Sequence, residues 1–277
     1  MADLVKGIDI SDENESLDWN TVKELAIQYA FIRAYTGLKE DKKFREYWQN
    51  AASAAIWRGA VHTVLPTEDG HQQAVRFVEL MNDFQMDLPA VLDASKGATL
   101  DQMNVWGERI HTGLEKKPIL YISAGLWNGI EDTSGVKQYV LPKFDLWVAN
   151  WQYNGLPEVP TLPRDWDAWH FWQYGKGWNY FNGDVEDLRE YANIKPKLKT
   201  VTILSNFLRG RARPMYVPGQ SEIIFSKGQV LQATESAMVH EAVSGITWIQ
   251  VEIPSCPCCR MWVSSHPYYV KIEEKLQ

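Results

Sequence analysis

Cysteine is scarce in this 277-residue chain, and the three present, Cys256, Cys258 and Cys259, fall within four positions of one another. Such a cluster cannot staple distant segments, so no disulfide framework is expected and a reduced compartment is the simpler setting. The spacing does not suit a metal either: no second ligand pair lies nearby, and His266 alone does not complete a site. Long apolar runs are missing as well. Nothing approaches the roughly 18 uninterrupted apolar residues of a membrane-spanning helix, so no membrane partner is expected. The opening MADLVKGIDI has neither a basic start nor a long apolar stretch, which reads as a protein made in the cytoplasm without a signal peptide. Phosphate-cradling glycine loops and the dinucleotide fingerprint are absent, so no cofactor is expected. Positive charge is in deficit, with 28 Lys and Arg against 35 Asp and Glu. It is unevenly spread: from residue 195 onward ten basic residues face six acidic ones, whereas the preceding part holds 18 against 29. So modest a basic excess does not mark a nucleic-acid binder, but it does suggest two domains with different partners.

What the chain does have, over residues 1–194, is alternation. Short β-rich runs occur at residues 5–10, 27–35, 59–65, 88–93, 118–123, 145–151 and 168–174, and amphipathic helical segments separate the first five. Repeated strand, helix, strand implies parallel strands joined by right-handed crossovers, and seven or eight of them in this length point to a closed βα barrel. After the fifth strand the connections shorten and turn proline-rich, as in NGLPEVPTLPRDWD, so the barrel is abbreviated. Residues 195–200 read as a short basic linker. From Val201 to Gln277 strands and turns alternate; Ile249, Val251 and Ile253 interleave with Trp248, Gln250 and Glu252, which predicts a small antiparallel β-barrel.

Chemistry on a βα barrel gathers at the carboxyl ends of the strands. There the sequence places Asp9, His62, Asp93, Tyr121, Ser123, Gln173 and Tyr174. Eleven of the 13 tryptophans fall in the same domain, among them Trp147, Trp151, Trp169, Trp172 and Trp178. Most tryptophans of a barrel fill its interior and its helical layer; a few beside carboxylates at the mouth suit a carbohydrate, whose C–H faces stack on rings.

GIDIS followed by LDW, FIRAYTG, GAVH with a later QAVRFVE, PAVLD, ILYIS, LWVANW, and FWQYG followed by NYFNGD occur in this order between residues 5 and 192. Together they resemble glycoside hydrolase family 25, the lysozyme-type N-acetylmuramidases. The tail, through LSNFLRGRARP, FSKGQVLQAT, TWIQVEI and MWVSS, resembles a bacterial Src-homology-3-type wall-binding domain. The resemblance implies a TIM-like barrel followed by a small all-β barrel, with bacterial cell-wall peptidoglycan as the partner. It implies that Asp9 and Asp93 are the catalytic aspartates and that His62 matches a histidine of the family's third strand; with His62, the strand-end residues Tyr121, Gln173 and Tyr174 and the aromatic Trp151 are expected to bind substrate. The chain would then act at the cell wall once released, as a phage endolysin does.

Several positions depart from the family pattern. The family's general-acid glutamate, two residues after the aspartate matched by Asp93, is replaced by Ser95; an aspartate common two residues before Asn179 is replaced by Gly177; and Val61 and Thr63 stand where Tyr and Phe are usual. Glycoside cleavage ordinarily needs two carboxyl groups, one of which protonates the leaving oxygen. Two functions therefore stay open: a muramidase cutting the β-1,4 bond between N-acetylmuramic acid and N-acetylglucosamine, or a lysozyme-like barrel that binds wall glycan and cleaves it little. Ser95 as a hydrolase nucleophile is disfavoured, because no Gly-x-Ser-x-Gly elbow surrounds it. Arg209, Arg211 and Arg213 alternate and would share a face of an extended segment, which suits anionic wall polymers.

Overall fold

The computed structural model describes residues 4–14, 18–133, 135–151, 159–194, 198–215, 222–234, 238–241, 244–253 and 256–274. It divides into two compact units, Met1–Ile194 and Lys195–Gln277.

The first unit holds strands β1 (Val5–Ile10), β2 (Tyr29–Thr36), β3 (Lys39–Glu40), β4 (Trp57–Thr63), β5 (Val91–Asp93), β6 (Ile119–Ile122), β7 (Asp145–Ala149), β8 (Phe171–Gly175) and β9 (Trp178–Phe181). Its helices are α1 (Trp19–Glu24), α2 (Phe44–Ser53), α3 (Gly70–Met81), α4 (Leu100–Leu114), α5 (Ala124–Gly129), α6 (Lys137–Val140) and α7 (Val185–Tyr191). Eight strands close a barrel in the order β1-β9-β8-β7-β6-β5-β4-β2, with β2 returning to β1 and β3 folded back on β2. All neighbours are parallel except β9, which runs antiparallel to both β8 and β1. That strand and α7 are additions to the expected list. A four-residue strand entered by a hairpin carries too short an alternation to stand out. The turn into β9 needs Gly177, whose φ of +78° is in the left-handed region that glycine adopts without a Cβ penalty.

Periodicity explains the helices that cover the barrel. In α2 the buried residues are Phe44, Tyr47, Trp48 and Ala51, in α4 they are Met103, Trp106, Gly107 and Ile110, and α3 repeats the spacing with Ala74, Phe77, Val78 and Met81. Each set is one i, i+3, i+4, i+7 stripe laid on the outside of the sheet. The inside is a second, aromatic core of Tyr29, Phe31, Trp147, Phe171 and Phe181 with Val5 and Val91. Phe31 lies 4.5 Å from Trp147 and 4.9 Å from Phe171 between ring centroids. Room for these rings is made at Gly7, where an added Cβ would lie 2.1 Å from the Tyr29 ring. These side chains fill the lower barrel among the described residues.

The second unit is all β: β10 (Leu198–Ile203), β11 (Leu208–Arg211), β12 (Glu222–Phe225), β13 (Val230–Thr234), β14 (Met238–Glu241), β15 (Ile246–Ile253), β16 (Cys256–Ser264) and β17 (Val270–Glu274). They form two antiparallel sheets, β13-β10-β17 and β12-β11-β16-β15-β14. A single core that includes Val201, Phe225, Leu231, Ile249, Val251 and Val263 holds them together. Ile249, Val251 and Ile253 point inward as their alternation predicts. Two expectations change. Residues 198–200, read as linker, belong to β10. Arg211 is buried and lies over the Trp248 ring, so it does not share an exposed face with Arg209. The side chains of Cys256, Cys258 and Cys259 lie outside the described residues.

Candidate functional site

Strand register assembles the site. Parallel pairing sets Thr63 beside Asp93 and Asp93 beside Tyr121, so three adjacent strands end in one polar row. Across the barrel, Gln173 of β8 pairs with Asn179 of β9, and Asn179 pairs with Gly7 of β1, two residues before Asp9. These groups meet in an open cleft of about 290 Å³ whose walls include Asp9, Asp93, Ser95, Tyr121, Trp151 and Gln173. The cleft stands directly on the aromatic barrel core, since Phe31 and Trp147 form its floor.

Both aspartates are fixed by hydrogen bonds. Asp93 accepts from the Thr63 hydroxyl on Oδ2 at 2.8 Å and from the Ser95 backbone N–H on Oδ1 at 2.8 Å. Asp9 Oδ1 accepts from Gln173 Nε2 at 2.8 Å and from Asn179 Nδ2 at 2.7 Å. Burial is the largest influence on Asp9 and raises its pKa above the ordinary aspartate value; the two amide donors oppose that shift, and the charge of Asp93 adds to it. Tyr121 is pushed up strongly, first by burial and then by Asp93 and Asp9, so it stays neutral and its O–H donates a hydrogen bond to Gln173 Oε1 at 2.5 Å.

At the rim, Arg33 draws together three carboxylates: Nε lies 3.0 Å from Asp41, Nη2 2.6 Å from Asp12 and Nη1 3.1 Å from Glu13. Asp41 is buried and also accepts the Asp12 backbone N–H, so the loop after β1 is tied to β2 beside the cleft. Sequence reasoning missed this cluster: Arg33 falls within FIRAYTG, but its partners Asp12, Glu13 and Asp41 lie outside the quoted motifs and meet it only on folding.

The expected site residues divide. Asp9, Asp93, Ser95, Tyr121, Trp151 and Gln173 line the cleft. His62 and Tyr174 do not, and alternation is the reason: Val61 and Thr63 face the cleft, so His62 between them faces the helices, and Tyr174 points outward beside inward Gln173. Tyr174 stacks on Tyr180 at 4.4 Å, and burial pushes its hydroxyl up to about 12. Ser123 caps α5 by accepting the Leu126 N–H. Of the tryptophans singled out, Trp169 and Trp172 are buried in the outer core, and only Trp147 and Trp151 reach the cleft. Val61, Thr63, Ser95 and Gly177, the four positions at which the sequence resemblance leads one to expect a departure, line that same cleft.

His62 is a core residue with a measurable signature. It is 0% exposed, stacks on Phe77 at 5.3 Å, accepts the Trp106 indole N–H on Nδ1 and donates from Nε2 to the Gly37 carbonyl. A ring that accepts at one nitrogen and donates at the other is neutral, and burial holds its pKa down at about 4, against 6.5 for a free histidine. The unfolded chain therefore takes up this proton first as pH falls. Stability from the neutral ring is complete above pH 6.5 and is lost progressively down to pH 4, by about 3 kcal/mol. Denaturant unfolding at pH 7 and pH 4 should show wild type losing that much more than His62→Gln; equal losses would remove histidine from the account.

Comparison with known proteins agrees with the geometry. The family model for glycosyl hydrolases family 25 matches residues 8–182. Lysozyme M1 of Streptomyces globisporus is 30% identical, over 68% of this chain and 71% of its own length. The N,O-diacetylmuramidase of a Chalaropsis species is 26% identical, over 68% of this chain and 99% of its own. A bacterial lysozyme structure from Streptomyces coelicolor superimposes with a TM-score of 0.56 at 28% identity, covering 68% of this chain and 97% of that one.

Proposed function

The chain belongs to glycosyl hydrolases family 25, and from that premise we propose that it is a peptidoglycan-directed muramidase that cuts the β-1,4 bond between N-acetylmuramic acid and N-acetylglucosamine. The observation that carries this reading is that Asp9 and Asp93 stand on the wall of one open cleft at the carboxyl ends of the barrel strands. In a glycosidase such carboxylates stabilise the positive charge that develops on the sugar ring as the bond breaks. Asp93 is suited to that role because both its oxygens are held by neighbours on its own side of the cleft. Asp9, also on the cleft wall, has its Oδ1 held by two amides and supplies a second negative charge. Ser95 occupies the place of the proton donor and cannot act as one, since a hydroxyl is far too weak an acid, so turnover is slow.

The second unit is read as a wall-holding domain of the Src-homology-3 type. Its support is the run of tail motifs together with two small antiparallel sheets around a single core.

The test uses purified peptidoglycan and the full chain, followed by borohydride reduction of new ends. Reduced N-acetylmuramic acid is the expected product; reduced N-acetylglucosamine would mean cleavage of the other linkage. Ser95 favours the second reading, glycan binding without cleavage, and co-sedimentation with peptidoglycan but no new ends would establish it.

A further inference from the structure

Both polar atoms of the Gln173 side chain are engaged. Oε1 accepts from the Trp151 indole N–H at 2.6 Å and from the Tyr121 hydroxyl at 2.5 Å, while Nε2 donates to Asp9. On the other flank, Asn179 Oδ1 accepts the Trp147 indole N–H at 2.9 Å and Nδ2 donates to the same Asp9 oxygen. An amide can turn over and exchange its oxygen for its NH₂, which would aim a carbonyl oxygen at the carboxylate. An indole N–H prevents that, because it donates and never accepts. Each amide beside Asp9 is therefore oriented by one tryptophan. The two tryptophans differ in exposure: Trp147 is 2% exposed, whereas Trp151 is 41% exposed and stands on the cleft wall.

We propose that Trp151 is a positioning residue: its indole N–H, acting through Gln173, holds the Asp9 carboxylate in its working orientation, and a sugar seated against the indole face tightens that link by excluding water from it. This assignment rests on the glycosidase reading, and it gives Gln173 a second task beside the expected one of binding substrate, since its Oε1 is filled by two donors and one Nε2 hydrogen is committed to Asp9, which leaves the other. The chain of bonds Trp151, Gln173, Asp9 makes Trp151 more than a stacking platform. A hydrogen bond in a site that loses its water is strengthened, and a partner deprived of one is left exposed to the full penalty.

Two measurements test it, one of which needs no turnover. In the full chain labelled with ¹⁵N-tryptophan, the indole signals of Trp151 and Trp147 should both move in Asp9→Asn, while that of Trp172, which donates to the Asn150 carbonyl, should not. A Trp151 signal unchanged by Asp9→Asn would overturn the proposal whether or not the protein cleaves glycan. In kinetics on peptidoglycan fragments, Trp151→Phe keeps the ring and removes the donor. Its kcat should fall about fivefold to tenfold, the effect of one hydrogen bond, with KM within about twofold of wild type. A raised KM with unchanged kcat would make Trp151 a simple platform and sink the positioning role. If wild type releases no new ends, the muramidase reading fails on its own, and the indole signals still decide whether Trp151 and Asp9 are coupled.

Discussion

Ser95→Glu should raise the rate at which new reducing ends appear from purified peptidoglycan by on the order of 10² to 10⁴, the span that a positioned general acid contributes. The site is ready for the change in three respects. Ser95 is exposed on the cleft wall, so a longer side chain has room. Its backbone N–H already bonds Asp93, so position 95 is anchored without its side chain. A third carboxyl group beside Asp93 and Asp9 meets two like charges, which raise its pKa toward the range a proton donor needs. Lys96, also on the cleft wall, works in the opposite direction. The gain should appear in kcat, with a new fall in rate on the alkaline side as the added carboxyl loses its proton. No gain at all would show that Val61, Thr63 and Gly177 have altered the cleft beyond one residue's repair. Gly177 is the least reversible of these, because an aspartate there would have to adopt a φ of +78°, at a cost of about 1–2 kcal/mol.

Much of this was legible in the sequence, for reasons that differ from residue to residue. Asp93 announces itself because an apolar run ends in a charge, and a buried strand that ends in a carboxylate marks the mouth of a barrel. The helices α2, α3 and α4 were visible because each carries a full apolar stripe. His62 was misplaced because motif matching gives a position along the chain, and only the strand's pleat decides which face a side chain takes; with Val61 and Thr63 in the cleft, His62 had to be in the core. The same parity separates Gln173 from Tyr174. Asn179 opens the NYFNGD motif, but its place beside Asp9 was not legible, because the hairpin strand that carries it is too short to read. Its partner in holding Asp9 lies six residues earlier in sequence, at Gln173, but adjacent in register. The Arg33 cluster shows the limit most clearly: its members come from three separate segments, and only closure of the barrel brings their charges together.

Asp93→Asn should reduce cleavage by on the order of 10² to 10⁴ while leaving the fold intact. The substitution is nearly isosteric, and the bonds survive it: the new carbonyl oxygen accepts the Ser95 N–H, and the new NH₂ donates to the Thr63 hydroxyl, which rotates to accept. What disappears is one negative charge in the cleft. Asp9 then loses the repulsion that adds to its raised pKa, so the fold has no electrostatic reason to weaken, and Tm should stay within a few degrees. The effect on rate is separable from that on binding, because a charge that matters only as the sugar becomes cationic lowers kcat and leaves KM in place. Combined with Ser95→Glu, the same change should cancel most of the gain, since an acid that protonates the leaving oxygen accelerates little unless the cation it creates is stabilised. An Asp93→Asn protein that cleaves as fast as wild type would move the chemistry away from this carboxylate and undo the assignment of the site.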